Sequence, residues 1–118
     1  MTAATAASPD RLLNILLVED DDVDVMNVRR AFKKNNIANP LFLASDGIDA
    51  LDQLRNGAIP SDRRIILLDL NMPGMGGLAA CRAIRSGWDM PIVVVSVRDS
   101  DHDKVEALDA GADDYVSK

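Results

Sequence analysis

Four apolar residues, Ile65-Ile66-Leu67-Leu68, run straight into an acidic one, Asp69, and then into the Pro/Gly-rich loop Leu70-Asn71-Met72-Pro73-Gly74-Met75-Gly76-Gly77. A short unbroken apolar run bounded by turn residues suits a strand buried on both faces. A carboxylate does not belong inside such a strand, so Asp69 is placed at its C-terminal end. In an open α/β sheet that edge is where ligands bind. A carboxylate there can equally begin a turn or cap the helix beyond the glycines, so the other strand ends have to decide between these readings.

The rest of the chain repeats the pattern. Leu12 to Val18 reads as a first buried strand, followed at once by Glu19, Asp20, Asp21 and Asp22. From Asp21 to Asn35 the spacing is helical. Val25, Val28 and Phe32 form one stripe with Met26 and Ala31 beside it, and Arg29, Arg30, Lys33 and Lys34 take the wet face. Acids at the start of this helix and bases at its end complement the macrodipole. Leu41 to Ala44 is a short strand. Ser45-Asp46-Gly47 starts a second helix that buries Ala50, Leu51 and Leu54 and stops at Asn56-Gly57. A third helix from Gly77 to Arg85 turns Leu78, Cys81 and Ile84 inward. Pro91 to Ser96 is a β-branched strand. Asp101 to Asp109 is a weaker, highly charged helix whose apolar residues are Val105 and Leu108, and Tyr115 to Lys118 is the last strand. Strict alternation of this kind, (βα)₄β, predicts a doubly wound, flavodoxin-like five-stranded parallel sheet with helices on both faces and right-handed crossovers.

Composition narrows the function classes. The 118 residues suffice for one domain, and with 47% apolar but only 3% aromatic residues the core has to be aliphatic. A net charge of −6 with no basic stripe argues against a nucleic-acid partner. The single cysteine, Cys81, rules out a disulfide within the chain, fits a reducing compartment, and reads as a small core residue. Residues 1–11 are Ala/Ser/Thr-rich, lack the features of a secretion signal, and read as a disordered tail ahead of a domain at residues 12–118. No run is long enough to span a membrane, so a cytoplasmic protein is expected. His102, the only histidine, is expected at the surface, and Trp88 in a loop and partly exposed.

In a parallel sheet all C-terminal strand ends share one edge. Here that edge collects Glu19 and Asp20, Asp69, Ser96 and Lys118, which come from stretches far apart in sequence. Carboxylates gathered together repel one another unless a cation joins them, and an all-oxygen site with few protein ligands suits Mg²⁺. Glu19, Asp20 and Asp69 are the expected ligands, with the backbone carbonyl of Asn71 as a fourth. An Asp69 oxygen left over can attack an electrophile, and beside Mg²⁺ the natural one is phosphorus. Ser96 and Lys118 would then stabilise the other phosphoryl oxygens.

At this point the chain resembles a receiver domain of two-component response regulators, most like the stand-alone, chemotaxis-regulator type. The resemblance is carried by Ile15-Leu16-Leu17-Val18-Glu19-Asp20-Asp21, by Leu67 to Gly77, by Val93-Val94-Val95-Ser96 and by Gly111-Ala112-Asp113-Asp114-Tyr115-Val116-Ser117-Lys118. It implies that Asp69 is the phosphoacceptor, Glu19, Asp20 and the Asn71 carbonyl are Mg²⁺ ligands, Ser96 is a switch hydroxyl, Tyr115 a switch aromatic and Lys118 a phosphoryl contact. It also implies a sensor histidine kinase as donor and slow self-dephosphorylation, with no outside substrate turned over. The family continues past this lysine with a fifth helix, whereas this sequence ends at Lys118. That ending reads as a truncation, and the side left bare reads as a surface for a second copy or another partner. Val97 is bulkier than the residue usual there; it either narrows access to Asp69 or simply continues the strand.

Three other functions are weighed. An aspartyl-phosphate phosphatase needs a second acid two residues after its nucleophile, and Asn71 stands there. A flavin-binding carrier needs a phosphate-cradling loop after the first strand, where Glu19-Asp20-Asp21-Asp22 would repel a phosphate. A degenerate or truncated receiver acting only as a dimerisation or interaction module is the remaining alternative.

Overall fold

The computed structural model describes residues 12–70, 76–96 and 100–117. The predicted tail at residues 1–11 lies outside the described residues, as do Asn71, Val97 and Lys118. Elements follow in the order β1 (Asn14–Val18), α1 (Asp22–Lys34), β2 (Leu41–Ala44), α2 (Gly47–Arg55), β3 (Arg64–Asp69), α3 (Gly77–Gly87), β4 (Ile92–Ser96), α4 (Asp101–Asp109) and β5 (Asp114–Ser117). The strands form one five-stranded sheet in the order β2-β1-β3-β4-β5, and every pairing is parallel. Four helices accompany it, with no fifth among the described residues.

Boundaries moved where neighbours decide them. β1 begins at Asn14 rather than Leu12, because its ladders start at Asn14 opposite Arg64 and at Ile15 opposite Leu41. β3 runs from Arg64 to Asp69 rather than from Ile65 to Leu68, since Asp69 still pairs with Val95 on β4. β5 begins at Asp114 rather than Tyr115 and is described to Ser117, Lys118 lying outside the described residues.

Helix ends follow local chemistry. The Asp21 carboxylate caps α1 by accepting from the amides of Val23 (2.8 Å) and Asp24 (3.3 Å). Asp22 and Asp24 sit in the first turn of α1 and Lys33 and Lys34 in its last, the charge order that favours a helix dipole. Asp46 caps α2 through the amide of Asp49 at 2.8 Å, and Ser100 caps α4 through that of Asp103 at 3.1 Å. At the edge away from the strand ends, Arg85 of α3 ties the turns together. Its guanidinium donates to the carbonyls of Gly111 (3.0 Å), Trp88 (3.2 Å) and Met90 (3.0 Å) and to Asp113 Oδ2 (2.6 Å). Gly111 has φ +113°, and a side chain there would also strike the Arg85 stem.

The main hydrophobic cluster lies on one side of the sheet, with Ile15 and Leu17 buried on the other. Leu16, Val18, Ile66, Leu68, Ile92 and Val94 alternate onto the cluster's face and pack with α2, α3 and α4. Ala50, Leu51 and Leu54 of α2 and Cys81 and Ile84 of α3 are buried as expected, while Leu78 is half-buried. One expectation is corrected. No residue of α1 is buried: Val25, Val28 and Phe32 are half-buried, and Ala31 and Met26 are exposed. On α4, Val105 and Leu108 face solvent and Ala107 is the residue that packs inward. A helix stripe becomes core only where a second layer closes over it, and among the described residues α1 is the one helix over its face of the sheet.

Candidate metal and phosphoacceptor site

The parallel sheet brings β1, β3 and β4 to one edge with their last residues, and the acidic groups meet there. Glu19 follows β1 directly and its amide donates to the Ala44 carbonyl of β2 at 2.9 Å, so the strand geometry carries one residue further and fixes the start of this side chain. Its carboxylate turns inward to a residue exposure of 7%, and the Asp21 amide approaches Glu19 Oε2 at 3.5 Å. Asp20, the next residue, is exposed. Asp69 ends β3 at 5% exposure.

One carboxylate oxygen from each of Glu19, Asp20 and Asp69 lies within 4.8 Å of the other two. Asp69 Oδ1 is buried and accepts no hydrogen bond among the described residues, although the residue takes part in other interactions. Three anionic oxygen donors, two of them on buried residues, suit a hard divalent cation. The donor set therefore fits Mg²⁺, and Glu19, Asp20 and Asp69 are the residues that would hold it. Asp24, in the first turn of α1, lines the same hollow as Glu19 and Asp69. Its place there comes from where α1 crosses the sheet, and no local signal announces that.

The other predicted groups sit as follows. Ser96 ends β4, is fully buried, and lies one residue past Val95, the register partner of Asp69. Alternation sends its side chain to the face of Val94, opposite to that of Val95 and Asp69. Tyr115 pairs with Val94 on β5 and is half-buried on the same face as Ser96. Asn71 and Lys118 lie outside the described residues, so their predicted contacts remain expectations. His102 is at the surface, its side chain 80% exposed, and pairs with Glu106 one turn along α4. Cys81 is fully buried in the core; burial pushes its thiol above the usual range, and the nearby Arg85 charge opposes that only in part.

A doubly wound parallel sheet with an acidic trio at its carboxyl edge defines a class of cation-dependent α/β domain. Comparison with known proteins makes it specific. The family model for the response regulator receiver domain matches residues 15–118, and the chain belongs to that family. The chain is 44% identical over 108 residues to the response regulator MprA of Mycobacterium avium (strain 104), covering 90% of this chain and 44% of that protein. It thus spans less than half the length of the curated relatives it matches. Among solved structures, the Mn²⁺-bound form of response regulator Rcp1 superposes with a TM-score of 0.75 at 29% identity, covering 90% of this chain and 81% of that one. The BeF₃-activated N-terminal receiver domain of Klebsiella pneumoniae RstA gives 0.76 at 28%, covering 89% and 85%. Receiver domains are signalling phosphoacceptors that use an acidic Mg²⁺ pocket, and they do not turn over an outside substrate as enzymes do. No helix among the described residues is long and apolar enough to cross a membrane.

Proposed function

We propose that this chain is a cytoplasmic phosphorylation switch that accepts a phosphoryl group from a sensor histidine kinase onto Asp69. The observation that carries the reading is the convergence of Glu19, Asp20 and Asp69 within one ion's reach at the sheet edge. Mg²⁺, when bound, neutralises charge between the carboxylates and the incoming phosphoryl oxygens. Glu19 and Asp20 would hold that ion, with the Asn71 carbonyl as a further ligand. An Asp69 oxygen forms the new bond to phosphorus while the bond from phosphorus to the donor imidazole breaks. The electron pair stays on the ring nitrogen, which takes a proton from solvent. The product is an acyl phosphate that water hydrolyses slowly, because Asn71 offers no carboxylate to activate it.

Ser96 donates a hydrogen bond to a phosphoryl oxygen and Lys118 supplies an ion pair. Reaching that position requires Ser96 to turn from the buried face it occupies, and Tyr115 shares that face and follows. The change reaches the exterior at α4 and β5, where Val105, Leu108 and Val116 are already exposed, and alters what that surface binds. Incubation with Mg²⁺ and acetyl phosphate, followed by intact mass, is expected to show a single phosphoryl adduct that is absent in Asp69→Asn. No adduct on the parent, or an adduct surviving in Asp69→Asn, overturns the reading.

A second reading, an interaction module that pairs with another copy, is supported by the open hollow of about 340 Å³ between α1 and the sheet, lined by Val28, Ala31, Leu17, Leu67 and Val95. Sedimentation with and without the phosphodonor separates a constitutive dimer from a phosphorylation-dependent one.

A further inference from the structure

We propose that Gly77, the first residue of α3, is a positioning residue for the Asp69 carboxylate; this rests on the reading of Asp69 as phosphoacceptor. A Cβ at Gly77 would lie 2.5 Å from Leu70 Cα, 2.7 Å from the Asp69 carbonyl oxygen and 2.9 Å from the Leu70 carbonyl oxygen. All three are backbone atoms, so no side chain can swing aside to make room. The Gly77 amide also donates to the Leu70 carbonyl at 3.3 Å. The start of α3 therefore bears directly on the chain that leaves β3. The neighbouring glycine marks the difference: a Cβ at Gly76 would meet nothing within 4 Å.

Neither partner of this contact can give way freely. Leu68 is laddered to Val18 on one side and to Val94 on the other, and Asp69 is laddered to Val95. On α3, Ala80, Cys81 and Ile84 are fully buried. A methyl group at position 77 starts about 0.9 Å short of ordinary contact with Leu70 Cα, and the displacement has to appear where the chain is least braced. That place is Asp69–Leu70, at the end of the β3 ladder. The three carboxylates need their spacing for an ion that demands near-octahedral ligands, so a shift of this size at Asp69 is felt in cation binding. It is also felt in phosphoryl acceptance, where misplacement by about 1 Å can cost about 10²-fold.

The test compares the parent with Gly77→Ala, Gly76→Ala and Ile84→Val, the last being a mild core change in the same helix with no contact to Asp69. Mg²⁺ affinity is read by calorimetry, adduct formation from acetyl phosphate by mass at saturating Mg²⁺, and unfolding without Mg²⁺ by circular dichroism. Gly77→Ala is expected to bind Mg²⁺ about 10- to 100-fold more weakly, as do changes that disturb the support of metal ligands. It is expected to accept the phosphoryl group about 10²-fold more slowly. Gly76→Ala and Ile84→Val should match the parent in both. Parent-like affinity and rate in Gly77→Ala, or an equal loss in Ile84→Val, overturns the proposal. Should Gly77→Ala fail to fold, amide exchange in the parent decides: saturating Mg²⁺ is expected to slow exchange at Gly77, and unchanged exchange there overturns it. A parent that binds no Mg²⁺ overturns the phosphoacceptor reading itself, a result distinct from a normal Gly77→Ala.

Discussion

The two faces of the sheet are built from the same kinds of residue and end in different surroundings. On the face covered by α2, α3 and α4, Val18, Ile66, Leu68, Ile92 and Val94 are all at 0% exposure. On the face crossed by α1, Ile15 and Leu17 of β1 are buried, but Ile65, Leu67, Val93 and Val95 are only half-buried, and Leu43 and Val116 are exposed. The same strands supply both sets by simple alternation, so strand chemistry does not account for the difference. The layer above does. Three helices close the first face, α3 touching both α2 and α4, whereas among the described residues a single helix leaves a hollow open on the second. That hollow reaches Glu19 and Asp69, so the looser half of the molecule is also the one that borders the acidic site.

The sharpest way to break this comparison uses two consecutive residues. Leu68→Ala, on the closed face, is expected to cost about 2–5 kcal/mol. Leu67→Ala, its neighbour on the open face, should cost about 1 kcal/mol, in line with partial burial at roughly 25 cal/mol per Å². Urea unfolding of both variants measures the difference, and equal losses would show that the open face is in fact closed. A smaller effect is expected at α1. Asp21→Ala removes the cap that satisfies two amides and should cost about 1 kcal/mol. Because α1 buries no residue, the loss should appear mainly as faster amide exchange along α1, with little change in core exchange.

The smallest effect belongs to Cys81 on the closed face. Its folded thiol holds its proton to higher pH than the unfolded one, chiefly through burial. Its contribution to stability is therefore full below the unfolded thiol's pKa. It declines as pH rises from there toward the folded value, because the unfolded chain loses the proton first. Unfolding midpoints should be flat at neutral pH and show a shallow downward slope as pH rises past the ordinary thiol range. A thiol reagent should label Cys81 only at the rate of unfolding, and rapid labelling of the native protein would place an opening on the face described as closed.

Much of the architecture was legible because it depends on near neighbours. The helix Asp101–Asp109 lies where charge and spacing put it, and Asp21, Asp46 and Ser100 cap their helices as short polar side chains ahead of a periodic run should. Continuous β-branched runs such as Ile92–Ser96 predicted buried parallel strands, which they are. The depth of each stripe was not legible. Val25, Val28 and Phe32 have the spacing of a core face, and so do Ala50, Leu51 and Leu54, yet only the second set is buried. On α4 the large apolar side chains point outward and Ala107 takes the inner position against the core.

The candidate site divides in the same way. Alternation of strand and helix was enough to bring Glu19, Asp20 and Asp69 to one edge, since parallel strands all end on the same side. Sequence alone thus determined the sheet, the polarity of its edges and the acidic character of one of them, because periodicity, capping and charge act over a few residues. Tertiary structure decided which face is sealed, which way the Ser96 side chain leaves the sheet, and how closely Gly77 presses on the backbone beyond Asp69. Those depend on distances between elements remote in the chain, and close packing settles such distances only when every layer is in place.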